Sequence, residues 1–252
     1  MNYELQIYNL GIMNKQINNL TLKDLFGRAL LDYQNGHYTE DLITSTNISE
    51  EDELPLPYLF RDYKDMPKIE KKALELAKGC ILDVGCGSGL HTLYLQRKGF
   101  YVKAIDISKG AIDVAKLRGV THAEVKNILE ESETFNTIML LMNGTGIFQE
   151  LAQVSKYLTH LKSLLKPNGQ ILIDSSDIKY MYEDEDGGFF FFLHANYYGE
   201  LDYYLSYKGE EESPMKWLYL DFDTLKLACE TVGLKCELVF EGDHFDYLAR
   251  LS

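Results

Sequence analysis

At 252 residues, with 46% hydrophobic and 25% charged side chains, the chain can bury one sizeable core and has the make-up of an ordinary globular protein. Its formal charge of −14 argues against DNA or RNA as a partner, because non-specific capture of phosphates rests on Lys and Arg. No apolar run approaches the ~18 residues needed to span a bilayer, and Met1-Asn2-Tyr3-Glu4-Leu5 lacks the basic flank of a secretory leader, so a cytoplasmic protein with no membrane contact is expected.

Residues 21–33 read as a helix, with Leu22, Leu25, Phe26, Ala29 and Leu30 spaced at three and four. Ser49-Glu50-Glu51-Asp52-Glu53 reads as a charged loop, and Pro55 and Pro57 are expected to keep the next stretch extended. Residues 1–66 are therefore expected to form a cap on a main domain over 67–252. A helix is expected from Asp65-Met66-Pro67, with Ile69, Ala73, Leu76 and Ala77 as its apolar stripe and Lys78-Gly79 as its stop.

From Cys80 onward strands and helices alternate. Ile81-Leu82-Asp83-Val84 predicts a strand, Gly85-Cys86-Gly87-Ser88-Gly89 a tight turn, and residues 89–98 a helix. A second strand over Tyr101–Asp106 leads to a helix capped by Ser108 and carrying Ile112, Val114 and Ala115. Ala123–Lys126 is a short third strand. Phe135–Met142 is a fourth, whose near-continuous apolar run suits a central place in a sheet. A long helix with Leu151, Val154, Leu158, Leu161 and Leu165 is stopped by Lys166-Pro167-Asn168-Gly169, and Gln170–Asp174 is a fifth strand. Beyond it, Tyr203–Tyr207 and Trp217–Leu220 are expected to pair, and Asp221 to cap a helix with Leu225, Ala228 and Val232. Leu234–Glu241 and Phe245–Leu251 read as a hairpin. Cys80, Cys86, Cys229 and Cys236 show no metal-ligand spacing, so reduced thiols and no metal site are expected.

The stretch 81–89 has Gly-x-Gly-x-Gly with an acid two residues before the first glycine. The dinucleotide fingerprint places its third glycine one residue later. Residues 81–89 resemble motif I of the class I S-adenosylmethionine-dependent methyltransferases. The five strand–helix steps, the closing hairpin and the Leu-Leu-Lys-Pro-Asn-Gly turn at 164–169 look like the same superfamily, so the resemblance covers roughly 67–252. It implies an α/β, Rossmann-like, doubly wound and mostly parallel seven-stranded sheet with an antiparallel C-terminal hairpin strand. The cap and an extra β insertion after the fifth strand would be additions. The implied activity is methyl transfer from S-adenosylmethionine to a small molecule.

What that cofactor presents suggests where it would bind. Gly85, Gly87 and Gly89 would let the backbone pass under its methionine and ribose, with Cys86 a small residue in the loop. Asp83 would accept from the ammonium or brace the turn by bonding loop N–H groups. Asp106, 17 positions after Gly89, would accept the ribose hydroxyls, and Ile107 would pack on the adenine. Many family members carry Asp where this chain has Asn127; the Asn carbonyl can accept from the adenine amino group in its place, beside the Ile128 amide. Asn143 would touch the cofactor or line the cleft. Residues 143–146 lack the prolines and aromatic of the Asn-Pro-Pro-aromatic tetrad, so no nucleic-acid or glutamine acceptor is inferred.

No residue is assigned as catalytic. Asp177, Tyr180 and His194 are the candidate bases after the fifth strand. Glu183-Asp184-Glu185-Asp186 is either a solvated loop or an attractor for a cationic acceptor. Phe189, Phe190, Phe191, Phe192, Tyr197 and Tyr198 wall an apolar pocket or pack in the sheet. Tyr33, His37 and Arg61 are expected to fold over the donor as a lid. Two other readings stay open: a non-catalytic protein that binds the cofactor or its demethylated product, and an NAD(P)-linked oxidoreductase. The early third glycine and the hairpin speak against the second.

Overall fold

The computed structural model describes residues 23–183 and 197–252. His194, Asp184–Asp186 and Phe189–Phe192 lie outside them.

The main sheet contains β3 (Ile81–Val84), β4 (Val102–Asp106), β5 (Ala123–Val125), β6 (Phe135–Leu140), β7 (Leu165–Ser176), β11 (Cys236–Glu241) and β12 (Asp246–Leu251). Their order is β11-β12-β7-β6-β3-β4-β5. The pairs from β7 to β5 are parallel, whereas β12 runs antiparallel to both β7 and β11. The expected seven-stranded, mostly parallel sheet is thus observed. All four residues of β3 are buried, because helices cover both faces of a doubly wound sheet. Helices α3 (Lys68–Leu76) and α4 (Leu90–Arg97) flank β3 in the chain, α5 (Lys109–Leu117) links β4 to β5, α6 (Val154–Ser163) precedes β7, and α7 (Phe222–Thr231) precedes β11. Ser108 and Asp221 cap α5 and α7 as expected, accepting from Ala111 and Thr224 amides. The strand order reverses at β3, since the parallel strands β4 and β6 lie on its two sides; the carboxyl ends there open the crevice where such sheets take ligands.

A second, antiparallel sheet joins distant parts of the chain. β1 (Leu42–Thr46) lies between β2 (Ser49–Leu54) and β8 (Glu200–Tyr207), and β8 also pairs with β10 (Met215–Leu218) and β9 (Glu210–Glu211). The two segments expected to pair are neighbours, but in another register: Met215–Leu218 faces Glu200–Tyr203, with Trp217 opposite Leu201, while Tyr203–Ser206 pairs with β1. Helix α1 (Leu25–Gln34) fills the space between this sheet and α5, with Leu25, Ala29 and Leu30 packed on Leu42, Leu205, Tyr207, Ala111 and Val114.

Three local expectations are corrected. The acidic stretch 49–53 is strand β2 and not a loop; Glu50, Glu51, Asp52 and Glu53 are exposed on an edge strand, where charge blocks pairing with another chain. The segment after Pro55 is not extended but forms a short helix, α2 (Leu56–Leu59), because both prolines sit at its N-terminus, where a missing N–H costs nothing. Helix α6 spans only Val154–Ser163; Leu151 belongs to a preceding 3-10 turn, and β7 already begins at Leu165, opposite Phe135. The 166–169 turn is therefore an irregularity inside that strand pairing, with Asn168 at φ 59°.

Among the described residues no helix is long and apolar enough to cross a membrane, and no group of three or more His, Cys, Asp or Glu is placed to hold a metal ion.

Candidate functional site

Between β3 and α4 the backbone turns through three left-handed glycines, Gly85 (φ 70°), Gly87 (φ 53°) and Gly89 (φ 81°). At Gly89 a Cβ would lie 2.8 Å from Val120 Cγ2 and 3.2 Å from Ala115 Cβ, so only glycine lets α4 start this close to α5. A Cβ added at Gly87 would meet, among the described residues, only Phe26 Cζ at 3.9 Å, so this backbone is bare on the side roofed by that ring. Asp106, at the end of β4, fixes the loop. Its Oδ2 accepts from the Gly87 amide and its Oδ1 from the Ser108 amide, both at 2.9 Å. Each oxygen keeps an acceptor site free. Burial pushes the Asp106 carboxyl up, opposed by those two amides and assisted by the nearby Asp24 and Asp83 carboxylates. Beside it Ile107 is 75% exposed, an apolar side chain left open at the crevice rim.

The other predicted residues are placed less simply. Asp83 is buried and accepts from Thr92 Oγ1 at 2.6 Å, so the bond braces α4 rather than a loop amide. The Cys86 side chain packs inward with Leu93, Ala104, Ile112 and Val120, and burial raises its thiol well above the usual range. Asn127 is exposed and its Oδ1 accepts from the Leu129 amide at 2.9 Å, while Ile128 is buried beside it. Asn143 sits at φ 62° after Met142 at φ 65°, two successive non-glycine residues in a region that costs ~1–3 kcal/mol each. Its side chain is taken up by Thr145, Ser175 and the Leu218 carbonyl, tying β6 and β7 to β10.

Apart from Arg61, a lid candidate, several residues that shape the site gave no signal in the sequence. Asp174 holds the 142–144 turn, accepting from Met142 N at 2.9 Å and Gly144 N at 2.8 Å. Burial raises its carboxyl to about 6, against those two bonds. Asp24 caps α1 through the Gly27 amide at 2.9 Å and also accepts from Gly110 N at 2.8 Å and Ser108 Oγ at 3.0 Å. The two helices touch backbone to backbone there, since a Cβ on Gly110 would meet Gly27 Cα at 2.5 Å. Arg61 and Glu70, 8% and 3% exposed, form a buried ion pair, and Glu70 Oε2 also meets His91 Nε2 at 2.7 Å. Arg61 Nη2 reaches Met142 Sδ at 3.7 Å, which links this network to the cleft. Of the other lid candidates, Tyr33 packs on Phe60 at 4.5 Å between ring centres, and His37 is exposed.

Aromatic side chains line the far wall. Trp217 lies on Gly146, where a Cβ would meet the indole at 2.2 Å, and Tyr203 sits 5.5 Å from the same ring. Tyr197 donates to Asp221 at 2.6 Å, and Tyr198 donates to Asp177 at 2.8 Å, so this candidate base is engaged by a phenol. Tyr180 is exposed and stacks on Phe245 at 5.1 Å.

Comparison with known proteins agrees with this arrangement. The family described as a methyltransferase domain matches residues 58–238. A methyltransferase from Bacteroides fragilis, described as dependent on S-adenosylmethionine and crystallised with S-adenosyl-L-homocysteine, superposes with a TM-score of 0.86 at 45% identity, covering 91% of this chain and 94% of that one. The ubiquinone biosynthesis O-methyltransferase of Rickettsia conorii is 30% identical over 114 residues, 43% of this chain and 38% of the relative. The malonyl-[acyl-carrier protein] O-methyltransferase of Halalkalibacterium halodurans is 28% identical over 152 residues, 56% of this chain and 50% of the relative. The chain thus spans half or less of the length of these two curated relatives.

Proposed function

The chain belongs to the S-adenosylmethionine-dependent methyltransferase family, and from that premise we propose that it transfers the methyl group of S-adenosylmethionine to a small-molecule acceptor in the cytoplasm. The supporting observation is the bare glycine loop held by Asp106 and roofed by Phe26. The residues present suit that cofactor. The surface at Gly87 has no Cβ to hold a ligand away, Asp106 retains acceptor sites for a vicinal diol, and Ile107 offers an apolar face for a purine. Gly85 and Gly89 shape the same turn, with Asn127 and Ile128 beyond the rim. Asp83, Cys86 and Asn143 act through the framework, bracing α4, the loop underside and the 142–146 turn.

The bound donor supplies an electrophilic methyl group on a sulfonium. The chain's part is to align acceptor and donor and to exclude water, effects worth up to ~7–11 kcal/mol in favourable cases. Residues 1–66 serve as the cap and 67–252 as the donor-binding domain, although β8 and β10 of the latter complete the sheet under the cap. The curated relatives are O-methyltransferases by name, which favours an oxygen acceptor. Calorimetry with S-adenosylmethionine, S-adenosylhomocysteine and NAD tests the donor: the first two bind and NAD does not. Release of S-adenosylhomocysteine on incubation with pooled metabolites tests turnover, and its absence with every pool would leave only a binding protein.

A further inference from the structure

Away from the crevice, residues 61–64 and the outer side of α4 enclose a cavity of about 310 Å³. Neither the three glycines, the 142–146 turn nor β8–β10 lines it. Four of its walls are cations, Arg61, Lys64, Arg97 and Arg118, against one acid, Asp62. This is a concentration of positive charge in a chain with 39 acidic and 25 basic residues.

Arg61 is neutralised by Glu70, but the other three cations have no close acidic partner among the described residues. Arg97 is exposed and makes no ion pair or hydrogen bond among the described residues. Among the described residues Lys64 has one distant, exposed acidic pairing, with Asp65 at 3.8 Å. Arg118 spends its guanidinium on neutral groups, donating to Ser88 O at 2.9 Å and Ser88 Oγ at 2.6 Å while lying 4.8 Å over the Phe60 ring. Burial lowers its pKa from the usual arginine value, and the neighbouring Arg97 adds to that. Arg61 is buried with its Nε lacking a hydrogen-bond partner among the described residues. A stacked pair, Tyr63 and Tyr94, with ring centres 4.2 Å apart and planes 6° from parallel, contributes the aromatic part of the lining. Lys71 and Lys98 lie over those rings at 5.6 and 5.5 Å, adding to the positive field.

Lys64, Arg97 and Arg118 share a single lining acid, Asp62; such an excess of like charge favours an added anion, and guanidinium groups match phosphate oxygens in a fork. A volume near 300 Å³ is at the small end of ordinary ligand pockets. We propose that this cavity is a binding site for a phosphate-bearing small molecule, distinct from the donor crevice, with Lys64, Arg97 and Arg118 as its cationic wall. Arg118, through its bond to Ser88, connects this wall to the framework of the glycine loop.

The test uses the full chain with inorganic pyrophosphate in calorimetry at low salt. Saturable binding at one site is expected, unaffected by saturating S-adenosylhomocysteine. Arg97→Ala combined with Lys64→Ala should weaken pyrophosphate at least tenfold and leave S-adenosylhomocysteine affinity unchanged, because neither side chain touches the crevice. Lys235→Ala, which removes an exposed lysine elsewhere, should leave both affinities unchanged. Absence of saturable binding, displacement by S-adenosylhomocysteine, equal binding by the double variant, or equal weakening by Lys235→Ala would each overturn the proposal.

Discussion

The carboxylate of Asp106 accepts from the amide of Gly87 at 2.9 Å, so the acid that ends β4 holds the turn that ends β3. Loop shape and donor recognition therefore depend on one side chain. A hydrogen bond to a charged group contributes ~1.5–3 kcal/mol. Asp106→Ala is expected to lower S-adenosylhomocysteine affinity by at least tenfold, with Asp106→Asn intermediate. Calorimetry checks this, with circular dichroism confirming that both variants fold.

Two left-handed glycines separate backbone strain from crowding. Gly36 has φ 77° and open space around its missing Cβ, whereas Gly89 has φ 81° and would place a Cβ against Val120 and Ala115. Alanine in the left-handed region costs ~1–2 kcal/mol, and overpacking a filled site adds ~1–3 kcal/mol. Gly89→Ala is thus expected to reduce stability clearly more than Gly36→Ala in urea unfolding. Equal losses would show that α4 shifts freely away from α5.

Asp24 joins α1 to α5 by accepting from Gly27, Gly110 and Ser108. Deleting residues 1–66 would also remove β1 and β2 and strip β8 of its β1 partner, so truncation mixes loss of a roof with loss of a sheet. Phe26→Ala and Asp24→Ala are cleaner. The Asp24 change should cost ~1–2 kcal/mol of stability through the lost cap. Both should speed S-adenosylhomocysteine dissociation several-fold in stopped-flow measurements, and unchanged dissociation would argue that α1 is no lid.

Arg61, Glu70 and His91 form a buried network in which Glu70 is bonded to both of the others. Removing one partner of such a pair costs ~3–5 kcal/mol, so Glu70→Gln is expected to be among the most destabilising single changes to this protein. Burial pushes the Glu70 carboxyl up, but His91 and Arg61 outweigh it and hold its pKa below the usual range. Its contribution is therefore present above the unfolded pKa and lost as pH falls below it. A melting-temperature series from pH 6 down to 3 should be steeper for the wild type than for Glu70→Gln.

Asp174 has the opposite sign. Burial raises its folded pKa to about 6, above the unfolded value, so the folded state holds the proton more tightly. Its share of stability is full at low pH and declines by ~3 kcal/mol as pH rises through about 4 to about 6. Asp174→Asn cannot titrate, though it loses one acceptor for the Met142 and Gly144 amides. The stability advantage of wild type over this variant should therefore shrink between pH 4 and pH 6.5, read from melting curves at each pH.

Much of the fold was legible because its signals are local. The short apolar run of β3, the glycine spacing after it, and the capping residues Ser108 and Asp221 each depend on neighbours within a few positions. The same locality placed Asp106 beside the loop, since a strand end two elements away in a right-handed crossover lies next to the first. Tertiary structure decided what depends on partners far along the chain. β2 has a polar, exposed sequence and becomes a strand only because β1 is there to bond it, and β1 finds β8 more than 150 residues later. Burial of Arg61 and Glu70, the inward turn of Cys86 and the engagement of Asn143 by β7 and β10 also escape local reading. A side chain's charge state and direction are set by the surfaces that close around it, and those surfaces exist only once the sheet has formed.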